Sequence, residues 1–156
     1  MTRAREHGLT VILDPAPAAP LEPEVWRQVD VVTPNETEAT LLTGIEVTDL
    51  ASAEQAGLRL REWGVGAAII TLAGQGSCLI TARGTTIIAP YPVHAVDTTA
   101  AGDAYAGYLG AGLAEGLDLP RAARLASAAG ALAVTRTGAS PSIPHRADVD
   151  RLVASA

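Results

Sequence analysis

The chain alternates short, continuous apolar runs with longer stretches whose apolar positions recur at helical spacing. Thr10-Val11-Ile12-Leu13 is one run, closed by Asp14-Pro15; Val29 to Thr33 is another, ended by Pro34; Ala67 to Thr71 is a third. Short apolar runs bounded by turn residues are expected of strands buried on both faces of a parallel sheet. Ser77 to Thr81 and Thr85 to Ala89 flank Arg83-Gly84 and predict a hairpin. Between these runs the pattern predicts helices. The first is a tail over Arg3 to His7, stopped by Gly8. The next covers Glu36 to Thr43, capped by Asn35 and stopped by Gly44. A longer one opens at Asp49 or Ser52 and runs through Trp63 to Gly64. Further helices are expected from Ala101 toward Glu115, from Pro120 toward Thr135, and from Asp148 to Val153. Alternation of helices with buried strands predicts an α/β layered fold with a mostly parallel sheet and right-handed crossovers. No repeat, low-complexity tract or linker divides the 156 residues, so one domain over 1–156 is expected.

Composition narrows the function classes. Hydrophobic residues make up 48%, so the chain can build a core, while aromatics are 3% and Phe is absent, so that core must be packed closely from small side chains. The net charge is −6 and there is no Lys/Arg run, which argues against a nucleic-acid surface. A nucleotide remains possible, because backbone amides and a metal can hold phosphates without a basic patch. Cys78, the one cysteine, sits in an apolar run and reads as a buried strand residue. The stretch Met1 to His7 lacks the apolar core of a signal peptide, and the apolar helix near Ala122 to Val134 carries Arg124 and is too short to span a bilayer. A soluble, cytoplasmic protein without membrane partners is therefore expected. His7, His94 and His145 stand singly, without metal-ligand spacing, and Trp26 and Trp63 read as packing residues. Ser77 and Ser142 lack a nucleophile elbow.

The segment richest in chemistry is Asp97-Thr98-Thr99-Ala100-Ala101-Gly102-Asp103-Ala104-Tyr105-Ala106-Gly107. Small residues at Ala100, Ala101 and Gly102 let a ligand approach the backbone. A helix starting there points free N–H groups and the positive end of its dipole at one spot. That is an anion hole suited to a transferring phosphoryl group, with Asp103 in the first turn beside it. From Gly and Asp alone, an N-capped helix packed through small residues is the simpler reading.

The full string Asp-Thr-Thr-Ala-Ala-Gly-Asp-Ala-Tyr-x-Gly resembles the C-terminal signature of the ribokinase-like, or PfkB, carbohydrate kinases, with Tyr105 where that family usually has Phe. Four more segments carry the resemblance in family order. Asp14-Pro15-Ala16-Pro17-Ala18 is similar to the family's Asn/Asp-Pro-Ala-Pro-Ala turn. Asn35-Glu36-Thr37-Glu38 is similar to its Asn-x-x-Glu motif. Thr71-Leu72-Ala73-Gly74-Gln75-Gly76 is similar to its nucleotide loop, with Ala73 in place of a Gly. Ala133 to Ser142 is similar to its C-terminal loop. The turn and the last loop favour the ribokinase branch; a fructokinase, ketodeoxygluconate kinase or nucleoside kinase of the same family is the alternative, and a non-catalytic nucleotide-binding remnant the rival outside enzymes.

The resemblance implies a three-layer α/β/α, Rossmann-like fold and transfer of the γ-phosphate of ATP to a primary hydroxyl of ribose or a similar sugar. Asp103 would be the base, and the amides of Ala100, Ala101, Gly102 and Asp103 would hold the transferring phosphoryl. Asn35, Thr71, Gly74, Gly76, Gly102 and Ser127 would line the nucleotide. Glu38 would organise Mg²⁺. Asp97, Thr99, Ala133, Arg136, Gly138 and Ser142 would form a site for a monovalent cation such as K⁺. Relatives of this kind are expected to be homodimeric. The family's N-terminal Gly-Gly signature and β-sheet lid have no counterpart here. The sequence is therefore expected to be the C-terminal half of such a kinase, inactive by itself and prone to self-association.

Overall fold

The computed structural model describes residues 1–155, which form two compact units, residues 1–87 and 88–155. The first unit is built on a five-stranded sheet in the order β1-β2-β3-β4-β5. Its strands are β1 (Ile12–Leu13), β2 (Val31–Val32), β3 (Ala67–Thr71), β4 (Ser77–Thr81) and β5 (Gly84–Ile88). The pairs β1–β2 and β2–β3 are parallel, with Ile12 opposite Val31 and Val31 opposite Ala67. The β3–β4 pair is antiparallel, with Ile69 opposite Leu79, and β4 and β5 make the expected hairpin. The sheet is thus mixed, parallel where helices intervene between strands and antiparallel where a short turn does, as connection length requires.

β1 and β2 are shorter than their apolar runs. The Asp30 carboxylate explains part of this: its Oδ2 accepts the Val11 N–H at 2.8 Å, so a side chain replaces the backbone partner at the start of the ladder. Helix α1 (Thr2–Glu6) precedes β1, and α2 (Pro23–Trp26), which the apolar pattern alone does not announce, lies between β1 and β2 with Pro at its first position. Helices α3 (Glu36–Thr43) and α4 (Leu50–Glu62) connect β2 to β3. Asp49 caps α4 through a reciprocal box with Ser52. The core of this unit joins Val32, Ala68, Ile70, Cys78 and Ile80 of the sheet to Ala53, Ala56 and Leu60 of α4, Ala39 of α3 and Trp26 of α2. At Gly57 α4 packs tightly on β4: a Cβ there would lie 2.8 Å from Cγ1 of Ile80.

The second unit is helical. Helices α5 (Ala101–Ala114), α6 (Leu119–Ala133) and α7 (Arg146–Ala154) follow an extended approach, and a single 3₁₀ turn spans Ser140–Ser142. Asp118 caps α6 by accepting the Arg121 N–H. Tyr91, Leu125, Ala128, Ala129 and Val149 form its core, with Tyr108 and Leu152 packed against them. Small residues on α6 let neighbouring elements, including Tyr91 and Tyr108, pack closely against it.

Among the described residues no helix is long and apolar enough to cross a membrane. Cys78 is buried, and desolvation, reinforced by the charge of Glu54, pushes its thiol up to about 11, so it stays protonated and inert at neutral pH. His7, His94 and His145 are exposed.

Candidate active site

In the first unit, Asn35 and Glu38 sit at the start of α3. Asn35 Oδ1 accepts the Glu38 N–H at 2.9 Å, and Glu38 Oε2 accepts the Asn35 N–H at 2.9 Å. The Asn-x-x-Glu spacing is therefore a complete capping box, and it fixes both side chains at a helix N-terminus. β3 ends beside them: the Thr71 N–H donates to the Pro34 carbonyl at 3.0 Å, and Thr71 bridges to Asn35. The expected nucleotide loop thus leaves the sheet next to the expected phosphate contact.

That loop is tight. The Leu72 N–H donates to the Gly76 carbonyl at 2.8 Å, closing a turn around Ala73–Gln75. Gly76 has φ 90 and ψ −139, which only glycine adopts readily. Ala73 takes a left-handed φ of 41 despite its methyl group. Gly74 is different: its φ is not left-handed, and a Cβ there would meet nothing within 4 Å. Nothing in this chain's own packing requires glycine at 74.

In the second unit the Asp97–Gly107 segment opens α5. Ala100 is the N-cap residue, at φ 61, and no side chain caps this end. The contrast with α3, α4 and α6, capped by Asn35, Asp49 and Asp118, is direct. The first turn carries Ala101, Gly102 and Asp103, and Gly102 and Asp103 are exposed. Ser127 lies on α6, half-buried.

Asp97 organises the approach to α5. Its Oδ1 accepts the Thr99 N–H and its Oδ2 the Gly138 N–H, each at 2.9 Å. The Gly138 amide first, then the Thr99 hydroxyl and amide, pull the Asp97 carboxyl down to about 2. Asp97 thereby ties the start of the motif to the 133–142 loop. Within that loop the Arg136 N–H donates to the Ala133 carbonyl at 3.2 Å. The buried Ser142 hydroxyl donates to the Ala139 carbonyl at 2.7 Å. Asp97 thus links Thr99 to Gly138, two of the residues expected to hold a monovalent cation, while the bonds within the 133–142 loop are local. The Asx-type turn from Asp97 to Thr99 was readable from Asp-x-Thr; its partner across the loop, Gly138, follows from no local pattern.

The pfkB family carbohydrate kinase profile matches residues 1–146. The chain belongs to the pfkB family of carbohydrate kinases. A ribokinase of Haemophilus influenzae is 41% identical over 143 residues, which are 92% of this chain and 47% of that protein. The Arabidopsis thaliana ribokinase, solved with ribose and ATP, superposes with a TM-score of 0.90 at 31% identity, over 97% of this chain and 50% of that one. An Escherichia coli protein of the ribokinase II type, solved with ATP and Mg²⁺, gives a TM-score of 0.81 at 27% identity, over 99% of this chain and 52% of that one. The chain spans about half the length of the ribokinases it matches. The pfkB motifs read from the sequence and the mixed sheet flanked by helices agree with this membership.

Proposed function

We propose that this chain carries the nucleotide-binding and phosphoryl-transfer machinery of an ATP-dependent sugar kinase of the ribokinase branch. The reaction is transfer of the γ-phosphate to a primary hydroxyl of ribose or a similar pentose. One observation carries the reading. α5 starts without a side-chain cap, as α7 does, but only α5 starts from an alanine held in the left-handed region, with an exposed aspartate in its first turn, whereas α7 follows an extended His145. Backbone strain of this kind costs of order 1–3 kcal/mol and persists where the surrounding structure fixes it, commonly at functional sites. An uncapped, positively polarised helix end leaves its N–H groups to a ligand.

In this reading the amides of Ala100 to Asp103 hold the charge that develops on the transferring phosphoryl; one such donor typically contributes about 2.7–4 kcal/mol. Asp103 accepts the proton of the sugar hydroxyl as its oxygen attacks the phosphorus, and the bond to the leaving ADP oxygen breaks. Asn35, Thr71, Gly74 and Gly76 form the nucleotide-facing loops, with Ser127 toward the base. The unexplained glycine at 74 supports this, because close backbone approach by a ligand is a reason for glycine that packing does not supply.

Among the described residues no three His, Cys, Asp or Glu side chains cluster as an all-protein metal cage. That suits Mg²⁺, which keeps several waters and is held by one or two carboxylates together with phosphates. Glu38 would hold its hydration shell, with one carboxylate oxygen already fixed by the Asn35 amide. When bound, Mg²⁺ would neutralise phosphate charge. Asp97 and the 133–142 loop would support K⁺ through the carbonyls of Ala133, Arg136 and Gly138. Cytoplasmic residence and a homodimeric full-length form belong to the same proposal.

A chimera tests it: this sequence replaces the matching half of the Haemophilus influenzae ribokinase, and ADP release is followed with ribose and ATP. Ribose-dependent turnover is expected, and Asp103→Asn is expected to lower kcat by about 10²–10⁴-fold. A folded chimera in which Asp103→Asn turns over normally would remove Asp103 as the base.

A further inference from the structure

The first unit contains a cleft of about 470 Å³ that none of the residues assigned to phosphoryl transfer or nucleotide binding lines; of the family motifs only the end of the Asp14–Ala18 turn, Ala18, reaches it. It lies between the 18–23 segment, α2, the C-terminal part of α3 and the C-terminal end of α4, and its apolar wall includes Leu21, Leu41 and Leu42. Leu41 is 70% exposed, high for a leucine on a helix that otherwise packs on the core. Both tryptophans of the chain line this cleft, in a sequence with 3% aromatic residues. Their rings sit 5.3 Å apart at 52°. The size and mostly apolar lining are those of a small-molecule site.

Two polar groups serve the same cleft. Trp26 is 4% exposed, yet among the described residues its indole N–H donates no hydrogen bond and is not sealed from solvent, since the Tyr91 hydroxyl is the one buried side-chain atom left without a partner. A largely buried indole whose N–H still reaches solvent, lining a cleft, can exchange water for a ligand acceptor. Arg27, the next residue, also lines the cleft, its stem lying against Gly64. Its ion pair with Glu24 is long, 3.7 Å, and exposed, so it is easily exchanged. Glu62, the other charged lining residue, is paired to Arg59 at 3.3 Å.

We propose that this cleft binds a small aromatic or alicyclic carboxylate, its ring between Leu41, Leu42 and the tryptophans and its carboxylate on Arg27 and the Trp26 N–H. A planar guanidinium and an indole donor suit a carboxylate, and the leucines suit a flat apolar body. The site is independent of the phosphoryl-transfer reading, since it uses none of those residues.

The test uses 4-(trifluoromethyl)benzoate and its neutral amide as probes of the whole chain, followed by ¹⁹F NMR and by the fluorescence of the two cleft tryptophans. Saturable binding of the carboxylate is expected, with the amide weaker by about tenfold or more, the usual loss for one charge-assisted hydrogen bond. Arg27→Gln, at an exposed position, is expected to erase the preference for the carboxylate, and Leu41→Asp to abolish binding of both probes while the circular dichroism spectrum is kept. Absence of saturation in both readouts, or binding unchanged in Arg27→Gln and Leu41→Asp, overturns the proposal.

Discussion

Single residues carry much of this molecule's local geometry, and two of them make sharp predictions. Asp97 accepts two backbone N–H bonds, and its carboxyl is held near 2, below the ordinary aspartate value of about 3.9. A depressed folded-state value means that its contribution to stability is fully present above the unfolded value. It is lost as pH falls from there through the folded value. The Gly138 and Thr99 amide resonances are therefore expected to titrate with a midpoint close to 2 and to be flat above about 4. A midpoint at the ordinary value would mean the two bonds are not made in solution. Ala73 gives the second prediction. Its φ of 41 places a methyl group in the left-handed region, which costs roughly 1–2 kcal/mol for a non-glycine residue. Glycine would relieve that and lose about 0.4–1 kcal/mol through the freer unfolded chain. Ala73→Gly should thus raise stability by up to about 1.5 kcal/mol, read from the denaturant midpoint at constant slope. The sequence showed only that alanine stands where the family has glycine; that the position has a positive φ required the fold.

At the scale of elements, legibility followed the completeness of local signals. β3 and β4 match their apolar runs residue for residue, because each run is bounded by turn residues and is buried along its length. α3 and α4 carry their own start and stop: Asn35 and Gly44 for one, Asp49 for the other. α2 escaped notice because four residues hold too little periodicity to read, although Pro23 was a valid start signal. The capping box gives a test that separates folding from chemistry. Asn35→Ala removes the acceptor for the Glu38 N–H and should cost about 1 kcal/mol in the absence of any nucleotide. An unchanged unfolding midpoint would leave Asn35 a ligand residue only. Gly66 tests the parallel ladder. Its N–H donates to the Val29 carbonyl at 3.0 Å, and a Cβ at 66 would lie 2.5 Å from the Asp30 carbonyl oxygen, the acceptor for the Ala67 N–H. Because the obstacle is backbone in the β2–β3 pair and no side chain can swing away, Gly66→Ala should destabilise by roughly 1–3 kcal/mol. Equal stability of the variant would show that β2 and β3 have room to separate.

For the whole molecule, the order of five motifs along the chain announced the family before any geometry, while the cleft beneath the two tryptophans was invisible. Trp26 and Trp63 read correctly as packing residues, but a cleft is made by segments distant in sequence, and no local pattern encodes its volume. The proposed cation site stands between these cases. Its residues were legible only through resemblance, and the fold adds that Asp97 and Gly138 are bonded across 41 positions of sequence. A loop held in this way presents backbone carbonyls at a fixed spacing, and carbonyl oxygens discriminate K⁺ from Na⁺ by replacing a hydration shell of matching size or field. In the chimeric kinase, K⁺ is therefore expected to raise kcat while Na⁺ does so poorly. Asp97→Asn keeps the shape but removes the charge and leaves one carbonyl oxygen for the two N–H donors of Thr99 and Gly138, so it should abolish the K⁺ response and leave a low basal rate. Measuring turnover across K⁺ and Na⁺ titrations, with choline holding ionic strength constant, separates specific binding from screening. A rate indifferent to K⁺ in the parent chimera would reduce Asp97 to the loop clamp seen in the fold.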